Sequence, residues 1–338
     1  MDQAPRQQRE VLRHRRVALR RQRAAPARGA AILLAMVILT VVSTLAASMV
    51  WQQWRSVHVE AAERSRTQSG WILLGALDWA RLILREQRGN HISLNDAWAQ
   101  PLAEARLSTF LAADRDNNSD SGPEAFLSGQ ISDAQSRYNL RNLVVADQAS
   151  AAAELKVLER LCQAAGLSAS VAAAIAQGLT SATLGKDGPL MPTRLDDLRW
   201  LGVDGASIDA LRPWVTLLPD PGTKVNVNTA PREVLAAVIE GIDSGGAERL
   251  VQARLRQPFR NLEEAKAQFG AKLLGDEKAL PLALQRVDVT SAFFEVRGRL
   301  RLDDRVLEEI SLVHKTGPSD VVTRQRQRLS LALLAGGT

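Results

Sequence analysis

GAAILLAMVILTVVSTLAASMV, residues 29–50, runs for 22 positions without a charged side chain. That is close to the roughly 20 apolar residues that cross a bilayer, and at about 1.5 Å per residue it makes a helix about 33 Å long. Nine arginines precede or flank its start (Arg6, Arg9, Arg13, Arg15, Arg16, Arg20, Arg21, Arg23, Arg28), against the acids Asp2 and Glu10. Such a cluster stays on the cytoplasmic side, so the chain is expected to run N-in, C-out. A secretory signal has its small-residue cleavage site after the apolar core. Here the small residues Gly29-Ala30-Ala31 come before it, so the helix is read as retained.

The arginines also explain the charge. The 338 residues carry a net +6; nine arginines against two acids put the leader at +7, so the rest stands at −1. The high pI belongs to the leader and is no sign of a nucleic-acid partner. Cys162 is the one cysteine, so no internal disulfide forms. His14, His58, His91 and His314 are scattered, with no zinc spacing. There is no G-x-S-x-G, no H-E-x-x-H and no phosphate loop, and the chain is read as non-catalytic.

Residues 30–100 contain no proline. Trp51 and Trp54 suit a membrane interface. Val59, Ala62, Trp71, Leu74, Ala76, Trp79, Ala80 and Ile83 continue a helical stripe. One long helix is predicted from about residue 31 to before Gly89, with a bend near Gly70 or Gly75. An acidic loop follows, with Asp114, Asp116, Asn118 and Asp120 at alternate positions. Those four oxygens suit Ca²⁺ and open like an EF-hand, but Ser119 stands where the Gly belongs and Ala125 where the bidentate Glu belongs. A solvated loop of turn-forming residues is the plainer reading; Ca²⁺ is the only cofactor in view.

Next comes GQISDAQSRYNLRNL, residues 129–143. Residues 126–131 and 137–140 are read as short strands around a turn at Ser132-Asp133-Ala134-Gln135. Asp133 and Gln135 are read as structural, not as an acid–base pair. Four short helices are predicted at 151–166, 168–178, 194–201 and 204–211, with Gly166, Gly202 and Pro213 as stops. In VNVNTAPREVLAAV, residues 225–238, Val225 and Val227 are extended, Thr229 caps a helix, and Pro231 with Glu233 fills its first turn. This resembles the opening of a helix-hairpin-helix unit. Two points argue against DNA. The turn at Gly241-Ile242-Asp243 sets a carboxylate beside any phosphate, and residues 224–270 hold seven basic and six acidic residues, too balanced for a phosphate grip.

The period then changes to two. Phe294, Val296, Leu300 and Leu302 alternate with Glu295, Arg297, Arg299 and Arg301, as in a strand with one buried face. Asp303-Asp304 turns the chain. Residues 305–313 form a strand with Val306, Ile310 and Leu312 expected inside, residues 321–329 add a last strand, and the tail from Ala332 is expected to be mobile.

The leader resembles a type IV prepilin leader: a basic segment, a glycine, then a retained apolar helix. The fifth residue after Gly29, where most pilins carry Glu, is Leu34. The minor pseudopilins of the GspK family of type II secretion lack that Glu. The runs GQISDAQSRYNL and VNVNTAP, with Asp133, Gln135, Asn139, Asn226, Asn228, Thr229 and Pro231 as signature positions, are similar to stretches of the same family.

The resemblance implies an α+β pseudopilin fold: a long N-terminal transmembrane helix, an antiparallel β-sheet and an inserted all-helical domain. The expected segments are a leader (1–29), the N-terminal helix (30–88, with 30–50 in the membrane), a first α/β part (89–149), the insert (150–280) and completing strands (281–338). It further implies cleavage between Gly29 and Ala30 by prepilin peptidase, N-methylation of Ala30, and a periplasmic domain on the bacterial inner membrane. The implied role is to cap the pseudopilus tip with the minor pseudopilins GspI and GspJ, above the other pseudopilins, with no nucleic acid bound. The alternative is a membrane-anchored DNA-binding protein of the competence type, disfavoured by the charge balance.

Overall fold

The structure, a computed structural model, describes residues 28–107, 125–144, 148–184, 188–275, 279–302 and 305–332. The acidic loop with Asp114, Asp116, Asn118 and Asp120, the Asp303-Asp304 turn and the tail from residue 333 lie outside them.

Helix α1 (Arg28–Glu86) is 59 residues long and continuous through Gly70 and Gly75. The stretch 28–68 forms one unit. Its apolar side chains, among them Ile32, Leu34, Val37 and Leu45, are exposed. Its hydroxyls are satisfied within the helix: Thr40 Oγ1 donates to Val37 O and Thr44 Oγ1 to Val41 O, both at 2.9 Å. That is what a helix in hydrocarbon requires, where water cannot serve as partner. Among the described residues this is one helix long and apolar enough to cross a membrane.

The second unit runs from Ser69. Here α1 buries Leu73, Leu77, Ala80 and Leu84, the three-to-four spacing of a single helical face. Its last carbonyls are capped by Lys315, whose Nζ donates to Leu84 O at 2.8 Å and Gln87 O at 2.6 Å; a cation is favoured at this end of a helix. A 3₁₀ turn (Ala97–Ala99) buries Trp98. Strands β1 (Leu102–Arg106) and β2 (Ala125–Asp133) follow.

The insert comes next. It comprises β3 (Tyr138–Asn139), α2 (Gln148–Ala164), α3 (Ala169–Thr183), a 3₁₀ helix (Leu195–Leu201), α4 (Gly205–Leu211), β4 (Val215–Thr216), β5 (Val225–Asn226), α5 (Arg232–Val238), α6 (Ser244–Arg256), α7 (Leu262–Lys266), α8 (Ala271–Leu274), α9 (Ala279–Arg286) and β6 (Val287–Asp288). Strands β7 (Phe293–Leu302), β8 (Arg305–Lys315) and β9 (Val321–Ala332) complete the chain.

The main sheet has the order β1-β2-β7-β8-β9, every pair antiparallel. Strands β2 and β7 are neighbours although the whole insert lies between them in sequence, so the chain leaves and re-enters the sheet at one place, where Asp133 is registered with Phe294. One row across the sheet reads Gly129, Gly298, Glu309, Arg328. A Cβ on Gly298 would lie 3.4 Å from Leu73 Cδ2, so this glycine lets α1 approach closely. Glu309 is buried, with Arg326 Nε at 3.2 Å and Arg328 Nη2 at 3.0 Å.

Several expectations are corrected. The stretch around Asp133 is not a hairpin: β2 runs through Asp133, a 3₁₀ turn (Ala134–Ser136) follows, and Tyr138-Asn139 pairs in parallel with Val215-Thr216 inside the insert. Strand β8 does not bury Ile310 and Leu312. Its buried positions are Val306, Glu309, Ser311 and Val313. The cause is that the sheet is covered on both sides near this end: Val313 joins the core against α1, while Leu312 packs with Ala134, Leu218 and Phe293. The apolar core of the insert draws members from Tyr138 to Val289.

Candidate functional site

Among the described residues no group of three or more His, Cys, Asp or Glu side chains is placed to hold a metal. What the signature residues build is a buried polar junction between the sheet and the insert.

Asp133 is its centre. Oδ1 accepts from Gln135 N at 2.8 Å. Oδ2 accepts from the Thr229 hydroxyl at 2.6 Å, the Ser291 hydroxyl at 2.6 Å and Asn226 Nδ2 at 3.0 Å. Burial pushes its carboxyl above the ordinary carboxylate range, and these donated bonds offset that only in part. A carboxylate taken out of water needs such partners.

The neighbouring amides tie further chain segments in. Gln135 Oε1 accepts from Ala292 N at 2.6 Å and Phe293 N at 3.2 Å, while its Nε2 donates to Lys224 O at 2.8 Å. Asn226 Nδ2 also lies within hydrogen-bond distance of Ile92 O and Ser291 Oγ, and its Oδ1 accepts from Asn228 N. Asn139 Oδ1 accepts from Arg141 N and Leu218 N, and its Nδ2 donates to Asp220 O. Asn228 makes a two-way bond with the Phe259 backbone, 2.9 Å each way. Asparagine and glutamine suit this work because one planar group both donates and accepts.

The two sequence runs therefore converge in space through Asp133, Asn226 and Thr229. Two expected roles change. Thr229 does not cap α5; its hydroxyl is spent on Asp133, and Pro231 occupies the N-cap position with extended backbone. Ser291 and Arg254 carry no local sequence signal. Arg254, buried and with no carboxylate partner among the described residues, donates Nη1 to Val227 O at 2.7 Å and Ala230 O at 2.6 Å, and burial pushes it down to about 10.

Helices α5 and α6 pack against each other across a turn with Gly241 at φ +87°. Asp243 caps α6, its Oδ1 accepting from Gly246 N at 2.6 Å. A carboxylate in that position opposes an anion. Gly29 and Ala30 fall in the first turn of α1, and Leu34 is exposed on it.

Together these features define a pseudopilin-type α+β fold: an apolar N-terminal helix, an antiparallel sheet, and a helical insert anchored between β2 and β7. A family model described as Type II secretion system (T2SS), protein K matches residues 225–285, and a second with the same description matches residues 136–220. A curated relative, type II secretion system protein K of Dickeya chrysanthemi, is 33% identical over 129 residues, which is 37% of this chain and 35% of that protein. The match thus spans about a third of the relative's length. A crystal structure of the GspK-GspI-GspJ complex from the enterotoxigenic Escherichia coli type 2 secretion system has a similar chain, with a TM-score of 0.60 and 18% identity, over 79% of this chain and 98% of that one. Residues 136–220 and 225–285 are thus similar to type II secretion system protein K, and the fold is shared with the GspK-containing crystal structure.

Proposed function

We propose that the chain is the minor pseudopilin that caps the tip of the type II secretion pseudopilus and helps to start its assembly. The observation that carries this reading is one of order. Both family regions fall, in sequence, in the insert and its entry turn, behind an apolar helix of membrane-spanning length. The role is structural, with no reaction catalysed. Prepilin peptidase cleaves between Gly29 and Ala30 and Ala30 is methylated. The chain crosses the inner membrane once, with the body periplasmic. Its partners are the host's counterparts of GspI and GspJ, and the insert is too bulky for another subunit to stack above it. The absence of Glu at Leu34 fits a subunit with none above, since in other subunits that carboxylate meets a neighbour's terminal amine.

The test is an in-frame deletion in the native host. Loss of exported enzymes from the medium, their retention in the periplasm, and rescue by a plasmid copy are expected. Unchanged secretion in the deletion strain contradicts the proposal.

A further inference from the structure

The body from Ser69 onward is one compact unit in which, among the described residues, the two largest apolar clusters do not merge. One lies between α1 and the sheet, around Leu77, Trp98 and Phe294; the other fills the insert, around Leu158, Ile175 and Leu235. The apolar cluster that spans both sides has only three buried members, Ala134, Leu218 and Phe293. The chain crosses between the two parts twice, at residues 134–137 and 289–292, side by side. Next to these crossings a cleft of about 200 Å³ separates sheet residues such as Glu295, Arg297 and Gln327 from insert residues such as Arg194 and Arg212. Two bodies with a small shared apolar contact and a pair of short connections can rotate relative to each other.

Directional bonds concentrate at those crossings. Asp133 and Gln135 sit at the first, their partners Ser291, Ala292 and Phe293 at the second, and Thr229, Asn226 and Lys224 on the insert. Ile92 N also donates to Val289 O at 2.8 Å, so the loop after α1 braces the second crossing. Apolar contacts tolerate sliding; a carboxylate held by four donors does not, because each bond has a fixed length and direction.

We infer that residues 134–137 and 289–292 form a two-stranded hinge, that Asp133 and Gln135 are the catch holding the insert at one angle to the sheet, and that the cleft is the space across which the insert swings when the catch opens.

The test uses the full chain in lipid nanodiscs with spin labels at Trp200→Cys on the insert and Val322→Cys on β9, both exposed. Cys162 stays, being fully buried. Distances are measured for this protein, for an Asp133→Ala version, and for a milder Thr229→Val/Ser291→Ala version, with hydrogen exchange of both cores recorded for each. The expected result is one narrow distance with the catch intact, and a distribution at least about twofold broader in both catch variants, with both cores still protected. Two results overturn the inference. One is an unchanged distribution in both variants. The other is loss of core protection whenever the distance broadens, which makes the network part of the fold and not a catch.

Discussion

Thr229 gives its hydroxyl proton to Asp133 at 2.6 Å across 96 residues of sequence, and with that bond a loop of the insert is fixed to the end of a sheet strand. Replacing Thr229 by Val keeps the shape and removes the donor, leaving a buried carboxylate one bond short. The expected cost is about 1–2 kcal/mol, read as a lower urea midpoint, while Thr229→Ser retains more than half of the bond's worth. Equal midpoints for Val and wild type would exclude the bond as a contributor.

Gly178, in α3, has no room for a side chain: an added Cβ would lie 2.8 Å from Leu201 Cβ and 2.9 Å from its Cδ1. In an open helix Gly→Ala gains about 1 kcal/mol. Here overpacking, at about 1–3 kcal/mol, wins. Gly178→Ala is expected to lower the melting temperature, and Leu201→Ala in the same chain to recover part of the loss. A higher melting temperature for Gly178→Ala alone contradicts the close packing.

Acid weakens two helix starts. Asp204 caps α4; the Ser207 hydroxyl at 2.6 Å and the Ser207 N–H hold its carboxyl below the ordinary value of 3.8. At Asp197 burial pushes upward, but the N–H groups of Thr193 and Arg194 and the Arg194 guanidinium outweigh it, and it too is lowered. A depressed carboxylate stabilises the fold above its unfolded value and loses that contribution as pH falls through its folded value. The melting difference between wild type and Asp204→Ala is therefore expected at pH 7 and to vanish well below pH 3.8. A difference independent of pH would refute this account of the cap.

Cys162 is fully buried, and burial pushes its thiol up to about 11. The thiolate is the reactive form, so a maleimide at pH 7.5 is expected to leave the folded protein unlabelled and to label it fully in denaturant. Rapid labelling of the native chain would show the insert core to be open.

The elements with strong local signals were legible beforehand. Charge and hydropathy mark α1, and the predicted starts at 168 and 204 agree with α3 and α4, which the structure shows to be capped by Ser168 and Asp204. The alternation of residues 294–302 marks β7. What stayed hidden depends on distant partners. Two-residue ladders such as Tyr138-Asn139 on Val215-Thr216 have no periodicity to read. Glu309 reads as a solvent position until two arginines of β9 are set beside it, and Ser291 looks like any loop serine until Asp133 arrives. The signature residues were recognisable as structural, but their convergence on one carboxylate was not, because it is made by tertiary contacts between sheet and insert.

The most direct test of the central claim is the intact mass and N-terminal peptide of the chain purified from membranes of its native host. A chain that starts at N-methylated Ala30 is the predicted result, since only prepilin processing makes that end. An intact Met1 in cells with an active prepilin peptidase would contradict it and reduce α1 to a plain anchor.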